Sequence, residues 1–530
     1  MISAKAALPL RPLPRHPLVG RPLTAGSLIG GGGTQNLSTE PETDVCIIVE
    51  GCYPYIPGGV SGWIDWLMRT QNDLSFAVVT LWPRPTKQPP RYQLPSNVKS
   101  FRHLYLQDFG DRPVTKAAIP AETDALADAL GDYMMHGSIA QLQAVMVQLA
   151  RVKRTLPLAV MFNSPVAWQI VRRMYARTMP YSSFLDFFWA WRALLGGLFA
   201  TLEFPLPRAR VYHTISTGYA GLLAARAAIE TGRPALLTEH GIYTNERRIE
   251  LLMADWVADT VDKGHALDDP RLDLRDLWIN AFEAYARTCY EGCSEVVTLY
   301  EDNQRAQRIL GAPEHRLSVI ANGIDVGKFG RVPLVSDTER PTMCLIGRVV
   351  PIKDVKSFIT AASILKVRIP NLRALILGPT DEDEVYHDEC VALVETLGCG
   401  DCVEFTGTVN ILDYMPKIHV AVLTSLSESQ PLVILEAGAA GIPFVATNVG
   451  SCREIIEGRA DEHPPLGPGG IVTDLVSPSQ IADAVGELLL DKAKRRAYGE
   501  ALRARVRQTY TSQQAVDAYQ VLYRRLIDAV

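Results

Sequence analysis

Two stretches of the chain alternate short apolar runs with helical patterns, and this alternation limits the fold more than any other feature of the sequence. The strands predicted in the first stretch are Val45–Val49, Phe76–Leu81, Arg210–His213, Leu236–Glu239, Val296–Leu299 and Leu317–Ile320. Those predicted in the second are Thr342–Ile346, Ala374–Leu377, Val403–Phe405, Val420–Leu423, Pro443–Ala446 and Gly470–Val472. Apolar, β-branched runs separated by helical patterns are typical of parallel sheets that helices cover on both faces. The sequence therefore predicts an α/β protein of two Rossmann-like, doubly wound domains that face a central cleft.

The same pattern sets the expected domain boundaries. We predict a flexible, Pro- and Gly-rich leader in residues 1–43, which contains no apolar segment suited to a secretory signal. The first domain is expected in residues 44–330, with a mostly helical insertion in about 110–205, and the second in residues 340–510. A C-terminal helix in residues 511–530 is expected to pack back on the first domain.

Composition and charge exclude several classes of protein. The 530 residues are 47% hydrophobic, which is too much for a disordered chain. A net charge of -5 without a long basic run argues against nucleic acid as a partner, although a local pocket for a small anion remains open. Nine scattered cysteines do not form a disulfide framework and favour a reducing cytoplasm. The pair Cys399 and Cys402 lacks a second pair at metal-binding spacing.

The most apolar window of the chain is Phe184–Leu202. It contains Asp186 and Arg192, and about 20 mostly apolar residues are needed to span a bilayer. We therefore predict a buried helix here, with docking on a membrane partner as the alternative.

Cationic residues follow the first strand of the second domain. Gly347 and Arg348 come directly after Thr342–Ile346, and Lys353 lies on the loop beyond them. The N–H groups of Leu432 and Val433 are expected at the start of a helix, because Pro431 suits a first turn. A guanidinium, an ammonium and a helix N-terminus that converge would suit a diphosphate.

Two glutamates stand eight positions apart around the same helix start. Glu428 is expected in the loop before the helix and Glu436 about one and a half turns into it. Glu436 is then suited to accept hydrogen bonds from vicinal hydroxyls such as those of a ribose. Each of these elements is common alone. Their order and their strand-end positions together indicate a binding site.

The order G-R-x4-K followed by E-x7-E resembles the retaining GT-B glycosyltransferases of family 4. The strings Asn322–Asp325 and Gly450–Glu454 are similar to the same pattern, although Ala321 stands where Pro is frequent and Ser451 replaces a usual Gly. The resemblance covers residues 44–530.

Three strings of the first domain narrow the resemblance. They closely resemble the cytoplasmic glycosyltransferases of Pel exopolysaccharide biosynthesis, and they span Glu50–Met68, Val211–Ala225 and Leu237–Glu250. The resemblance implies that a hexose moves from a UDP-sugar to a growing polysaccharide with retention at the anomeric carbon. UDP-glucose is the first expectation, with UDP-GlcNAc and UDP-GalNAc as alternatives. It further implies a cytoplasmic enzyme that works with integral inner-membrane partners.

The resemblance also assigns roles to residues. Arg348, Lys353 and the helix N–H groups would stabilise the charge of the leaving UDP, so that no metal or other cofactor is expected. His240 would contact the donor sugar near the reaction centre, and Glu428 would position that sugar. Further residues are expected on the donor side, namely Gly58, Gly59, Gly347, Thr408, Val409, Leu432, Val433 and Glu436. Residues expected on the acceptor side are His213, Ser216, Thr217, Tyr243, Glu246 and Arg247.

Two alternatives remain open at this point. Sugar-nucleotide epimerases share the two-domain fold, and a fold does not determine a reaction. A catalytically silent scaffold of a polysaccharide synthase would also retain the fold, although the charged residues of the expected donor site are intact. The string Asp381–Asp383 spells a metal-binding D-x-D, but its position at a helix start predicts capping of that helix.

Overall fold

The structure is a computed structural model of the chain. It describes residues 41–85, 88–107, 119–153, 162, 164–253 and 271–529. Nearly all of the predicted leader therefore lies outside the described residues, as do parts of the predicted helical insertion.

The chain forms two compact units. Unit 1 comprises residues 1–298, 304–318 and 520–530, and unit 2 comprises residues 299–303 and 319–519. The last eleven residues of the chain thus belong to unit 1, although the residues before them belong to unit 2.

Unit 1 is built on a seven-stranded sheet. Its strands are β1 (Thr43–Glu50), β2 (Phe76–Trp82), β3 (Val98–Tyr105), β4 (Ala209–Thr214), β5 (Ala235–Glu239), β6 (Glu295–Thr298) and β7 (Leu317–Val319). Their order is β3-β2-β1-β4-β5-β6-β7, and the pairings from β3 to β6 are parallel. The strand order reverses between β1 and β4, which defines a topological switch point.

Nine helices accompany this sheet among the described residues. They are α1 (Gly59–Thr70), α2 (Thr123–His136), α3 (Ile139–Lys153), α4 (Pro165–Thr178), α5 (Phe184–Glu203), α6 (Tyr219–Thr231), α7 (Tyr243–Met253), α8 (Leu274–Gly292) and α9 (Asn303–Ile309). One apolar core joins α2 to α6 and α8 with the strands. The described part of the predicted insertion is helical, because α2 to α5 fall within it.

Unit 2 repeats the same plan with six strands. They are β8 (Thr342–Ile346), β9 (Arg373–Leu377), β10 (Val403–Gly407), β11 (Val420–Leu423), β12 (Phe444–Thr447) and β13 (Gly470–Thr473). All pairings in the order β10-β9-β8-β11-β12-β13 are parallel, so the switch point lies between β8 and β11. The helices from this part of the chain are α10 (Val326–Phe329), α11 (Val355–Arg368), α12 (Glu384–Thr396), α13 (Ile411–Tyr414), α14 (Leu432–Ala440), α15 (Cys452–Glu457), α16 (Pro478–Leu490), α17 (Lys492–Thr509) and α18 (Ser512–Asp528).

The prediction of two Rossmann-like, doubly wound halves is confirmed. One strand of unit 1, β3, was absent from the sequence-based prediction. Its segment interleaves polar with apolar side chains, and only Leu104 of the strand is fully buried. An edge strand that is paired on one side tolerates such polarity, so apolar periodicity does not reveal it.

The apolar window forms α5, and the prediction of a buried helix holds for one of its faces. Phe187, Leu194 and Leu198 are buried in the core, whereas Leu185 and Trp189 remain 62% and 59% exposed. In the part of the chain that the structure describes, no helix has the length and apolarity to cross a membrane.

Candidate functional site

The switch point of unit 2 brings Lys353 and Glu428 together. Lys353 ends a short 3-10 turn after β8, Glu428 follows β11, and their side chains form a partly buried ion pair. Ser425 Oγ donates to Glu428 Oε1 over 2.7 Å, and Thr424 Oγ1 donates to the Lys353 carbonyl over 2.8 Å. Ligands of open α/β sheets bind at the carboxyl ends of strands beside such a switch point. The ammonium and the carboxylate are thus fixed where a ligand is expected.

Arg348 lies at the same edge of the sheet and is half exposed. Its guanidinium pairs with Glu382, a contact that the sequence did not reveal. The neighbouring strand end approaches closely, because a Cβ at Gly378 would lie 2.0 Å from the Gly347 carbonyl oxygen. Asp383 caps α12 by accepting the Tyr386 N–H over 3.0 Å, which confirms the predicted capping role for this residue.

The N-terminus of α14 lies beside this ion pair in the chain. Pro431 is the N-cap and supplies no side-chain acceptor, so the first N–H groups, including those of Leu432 and Val433, are not capped by it. Gly450 has a φ of 51°, and a Cβ there would lie 2.2 Å from the Ser429 carbonyl oxygen. Only glycine permits this contact, which keeps the two loops together.

Two polar side chains near this helix start are buried without partners. Ser451 Oγ and Gln430 Nε2 accept or donate no hydrogen bond within the described residues, and the side chains are 1% and 7% exposed. The Gln430 carbonyl group is used, since Oε1 accepts the Asn322 N–H over 2.7 Å. Buried polar groups without partners are costly and suggest that a ligand or solvent satisfies them.

Glu436 is partly buried on the fifth residue of α14. Burial raises its pKa to about 7, and the charge of Lys328 opposes this shift. Thr408 and Val409 follow β10, which is separated from β8 by β9. They are therefore two strands away from the ion pair and not adjacent to it.

Unit 1 contains a cavity of about 530 Å³ at its own switch point. It is lined at the ends of β1 and β4 by Glu50 and by Ile215 and Ser216. Five residues that the sequence predicted for the site line it, and these are Ser216, His240, Tyr243, Glu246 and Arg247. Ser216 thus meets His240, which lies 24 positions away in the chain, and three residues of α7 around one space.

Glu50 is the principal residue of this cavity that sequence reasoning missed. Tyr243 Oη donates to Glu50 Oε1 over 3.0 Å, and the Ala220 N–H donates to Oε2 over 3.3 Å. Burial raises the pKa of the Glu50 carboxyl, and these hydrogen bonds oppose the shift. The available signal was an acidic residue at the carboxyl end of a buried strand, directly before a Gly-containing loop.

His240 follows β5 and lines the cavity. Its ring lies edge-on to that of Trp63, with centroids 4.6 Å apart, and Nε2 has no hydrogen-bond partner in the described structure. Burial lowers its pKa to about 4, so the imidazole is neutral at pH 7. A neutral ring with a free nitrogen can donate to or accept from a ligand hydroxyl.

Glu239 supports the helix that carries three of the lining residues. It is fully buried and accepts hydrogen bonds from Tyr290 Oη over 2.8 Å and from Gln307 Nε2 over 2.9 Å. Its other oxygen accepts the Tyr243 N–H over 3.3 Å at the start of α7. Burial raises the pKa of Glu239 to about 7.

His213 lies elsewhere than its predicted position on the acceptor side. It is fully buried within β4, with Nδ1 2.6 Å from Tyr523 Oη and Nε2 2.9 Å from Thr238 Oγ1. Burial lowers its pKa to about 3, so it is a neutral core residue. Thr217 is buried as well, and neither residue lines the cavity as the structure describes it. A strand-end histidine and a turn threonine carry no sequence signal that separates lining from packing.

Gly58 and Gly59 begin α1 after the β1 loop. Both are exposed, and a Cβ built on either would meet nothing within 4 Å. The space that the sequence prediction requires beside these glycines is therefore open.

Family comparison assigns the two halves of the chain separately. Residues 43–315, just over half of the chain, match the family described as "Domain of unknown function (DUF3492)". Residues 329–505 match the family "Glycosyl transferases group 1".

Curated relatives match part of the chain. The GDP-mannose-dependent alpha-(1-6)-phosphatidylinositol monomannoside mannosyltransferase of Mycobacterium tuberculosis (strain CDC 1551 / Oshkosh) is 29% identical over 229 residues, which cover 39% of this chain and 56% of the relative. D-inositol 3-phosphate glycosyltransferase 2 of Catenulispora acidiphila is 28% identical over 284 residues, which cover 49% and 64%. The chain thus spans less than two thirds of the length of these relatives.

Solved structures resemble most of the chain in fold. Anabaena HepE in complex with UDP has a TM-score of 0.54 at 14% identity, with 90% of this chain and 99% of that chain covered. Sucrose-phosphate synthase from Thermosynechococcus elongatus has a TM-score of 0.54 at 16% identity, with 92% and 100% covered. The chain belongs to the DUF3492 family, and its residues 329–505 match the group 1 glycosyltransferase family.

Proposed function

We propose that the chain is a retaining glycosyltransferase that moves a hexose from a UDP-sugar to a growing exopolysaccharide, as PelF does in Pel biosynthesis. The observation that carries the proposal is the ion pair of Lys353 and Glu428 at the switch point of unit 2, next in the chain to the N-terminus of α14. The strings that resemble the Pel glycosyltransferases support the exopolysaccharide as acceptor. They do so independently of the geometry.

The donor site would work by charge stabilisation. As the bond between the sugar and UDP breaks, negative charge develops on the diphosphate. Lys353 and Arg348 would stabilise this charge as cations. The N–H groups at Leu432 and Val433 would do so as the positive end of the helix dipole. Each of the two cations has a partner that UDP would displace or share, namely Glu428 for Lys353 and Glu382 for Arg348. These cations are the reason why we propose transfer without a metal cofactor.

Glu436 and His240 are proposed to bind different parts of the donor, the ribose and the hexose. Glu436 would accept hydrogen bonds from the ribose hydroxyls of the nucleotide, and Glu428 would position the sugar. His240 offers a neutral ring with an unpaired nitrogen, which suits a hydroxyl of the transferred hexose. Gly58 and Gly59 leave open space for a ligand next to the backbone.

The choice of UDP is supported by the structural neighbour HepE, which was solved with UDP. The mannosyltransferase relative is described as GDP-mannose-dependent, which makes GDP-mannose the first nucleotide sugar to compare. For the sugar we propose glucose, with N-acetylglucosamine and N-acetylgalactosamine to be tested beside it. We also propose that the enzyme works at the cytoplasmic side of the inner membrane, together with integral synthase partners. The exposed Leu185 and Trp189 on α5 offer a surface for that contact.

The direct test is turnover of UDP-glucose, UDP-GlcNAc, UDP-GalNAc and GDP-mannose by the full chain, with released nucleotide and sugar products quantified together. A retaining transferase releases free UDP and conserves the anomeric configuration. Epimerisation of the sugar nucleotide without release of UDP would contradict the proposal in favour of an epimerase. Absence of UDP binding at millimolar concentration in calorimetry would favour the silent scaffold.

A further inference from the structure

We propose that Glu50 binds the hydroxyl groups of a neutral sugar unit in the cavity of unit 1, and that it thereby selects the acceptor. This proposal deepens the function proposed above and rests on it. Glu50 ends β1 and lines the cavity beside Ser216, which follows β4. Those two strands are the pair between which the strand order reverses, where ligands of doubly wound sheets bind.

The two carboxylate oxygens of Glu50 are held in fixed positions but are not saturated. Oε1 accepts the Tyr243 hydroxyl over 3.0 Å, and Oε2 accepts the Ala220 N–H over 3.3 Å. A carboxylate offers about four acceptor positions in total. The bonds from Tyr243, from the Ala220 N–H and from the Tyr219 backbone N–H occupy fewer positions than that, so the carboxylate can still accept from a sugar hydroxyl.

Gly218 shows that this arrangement depends on close packing. A Cβ at Gly218 would lie 2.7 Å from Glu50 Oε2 and 2.8 Å from the Tyr243 ring. Any larger residue would push the carboxylate and the ring out of position. Gly218 is the N-cap of α6 and forms no side-chain cap. Glycine at this position is therefore explained by the packing against Glu50 and Tyr243 and not by capping of the helix.

The remaining walls of the cavity suit a pyranose. Trp278 and Phe282 line it with near-parallel rings whose centroids are 6.2 Å apart. Aromatic rings cover the apolar C–H face of a sugar, while polar groups at the edge bind its hydroxyls. Ser216 Oγ, also in the lining, has no hydrogen-bond partner among the described residues and can bind a further hydroxyl.

The charges of the cavity favour a neutral ligand over an anionic one. Arg247 is the single guanidinium or ammonium group among the described lining residues, and it pairs with Glu250 over 2.7 Å. Two carboxyl groups, those of Glu50 and Glu246, share the same cavity. A phosphate or a sugar acid would lie beside these two carboxyl groups, while the one guanidinium is already paired.

The test is sugar binding by the full chain, measured by saturation-transfer NMR and titration with methyl β-glucopyranoside, methyl N-acetyl-β-glucosaminide and glucuronic acid. We expect the neutral glycosides to bind and glucuronic acid to bind more weakly. Glu50→Gln should raise the Kd of the bound glycoside about tenfold, since a hydrogen bond to a charged group is replaced by one to an amide. Its Kd for UDP, measured by calorimetry, should stay within twofold of the wild type.

Two further variants keep the test decisive. Tyr243→Phe removes the hydroxyl that positions Glu50 Oε1 without changing the charge of the carboxylate, and it should raise the Kd about threefold. This variant provides a second test if the Glu50→Gln chain fails to fold. Asp132→Asn is the matched control, because Asp132 is an exposed carboxylate paired with Arg177 outside the cavity lining. Equal glycoside binding by Glu50→Gln and wild type would overturn the role of Glu50, and a wild-type chain that binds UDP but no glycoside would overturn the sugar assignment. A wild-type chain that binds no UDP would instead contradict the proposed function.

Discussion

The switch points of the two sheets have the same topology and opposite chemistry. In unit 2 the strand ends at β8 and β11 present Lys353 and Glu428 as an ion pair, with Arg348 close in the chain. In unit 1 the strand ends at β1 and β4 present Glu50 and an unpaired serine hydroxyl to an aromatic cavity. The fold thus determines where a ligand can bind, and local residues determine which ligand. The contrast matches our proposal of a charged donor in one unit and a neutral acceptor in the other.

The sharpest way to break this contrast is to remove the ammonium of unit 2. Lys353→Ala should lower kcat about 10²- to 10³-fold, because one preorganised charge opposite the leaving diphosphate is lost. UDP release measures the effect, and circular dichroism checks that the fold remains. Lys356→Ala is the matched control, since Lys356 pairs with Glu389 at the surface over 2.7 Å. Turnover near the wild-type rate in Lys353→Ala would remove unit 2 from the donor role.

Acidification should weaken nucleotide binding through Glu436. Burial raises the pKa of this carboxyl to about 7, so the ionised form that accepts ribose hydroxyls is lost as the pH falls through 7. We expect the Kd for UDP to rise about tenfold between pH 8 and pH 6, following the ionised fraction. Glu436→Gln should show a smaller dependence on pH than the wild type over this range, the remainder coming from the terminal phosphate of UDP, whose second pKa is about 6. A wild-type chain with a flat profile would show that another group holds the ribose.

The same pKa has a consequence for stability with the opposite sign. Between the ordinary pKa of a glutamate and about 7, folded Glu436 holds more proton than the unfolded chain. The free energy of unfolding should therefore fall as the pH rises through this window, and Glu436→Gln should lessen the fall. Urea titrations at pH 5 and pH 8 on both chains would measure the difference.

A change confined to unit 1 should leave unit 2 functional. Tyr523→Phe removes the hydroxyl that contacts His213 Nδ1 over 2.6 Å in the core. Leaving a buried imidazole nitrogen with one partner fewer should cost about 1–2 kcal/mol of unfolding free energy. Faster hydrogen exchange in β4 with an unchanged Kd for UDP would support independent roles for the two units. A parallel loss of UDP binding would show that the units are coupled.

The smallest effect is expected at Ser451. Its hydroxyl is buried and has no partner in the described structure, so Ser451→Ala should not lower stability. If UDP satisfies the hydroxyl, the Kd for UDP should rise about two- to fivefold. Calorimetry on this variant and on Ser363→Ala, a helix serine that bonds the Thr360 carbonyl of α11, separates a ligand contact from a general effect. An unchanged Kd in Ser451→Ala would leave the loop without a nucleotide contact.

The sequence predicted unit 2 better than unit 1, and the reason is physical. Arg348, Lys353, Glu428 and Glu436 lie close to strand ends and one helix start, and the carboxyl ends of parallel strands meet at one edge of a sheet, so these positions already imply proximity. The strands of this unit are almost fully apolar, and every one of the six was foreseen within about one or two residues.

Unit 1 depends on contacts between distant residues that spacing does not encode. Glu50 meets Tyr243 across 193 positions, and His213 meets Tyr523 across 310. Without those pairings a histidine that lines a cavity, such as His240, looks the same in sequence as one buried in a core, such as His213. The amphipathic edge strand β3 was missed for a related reason, since its pairing on one side leaves little apolar signal.

The return of residues 520–530 to unit 1 has a consequence for how the protein is made. Arg524 pairs with Asp73 over 2.8 Å, Arg525 pairs with Glu295, and Tyr523 bonds His213, so the end of α18 contacts three parts of unit 1. During synthesis the whole of unit 2 is translated before these contacts can form. Unit 1 can therefore complete its contacts only after the final turns of α18 have left the ribosome. A stop codon a few residues early would damage the half of the protein that was made first.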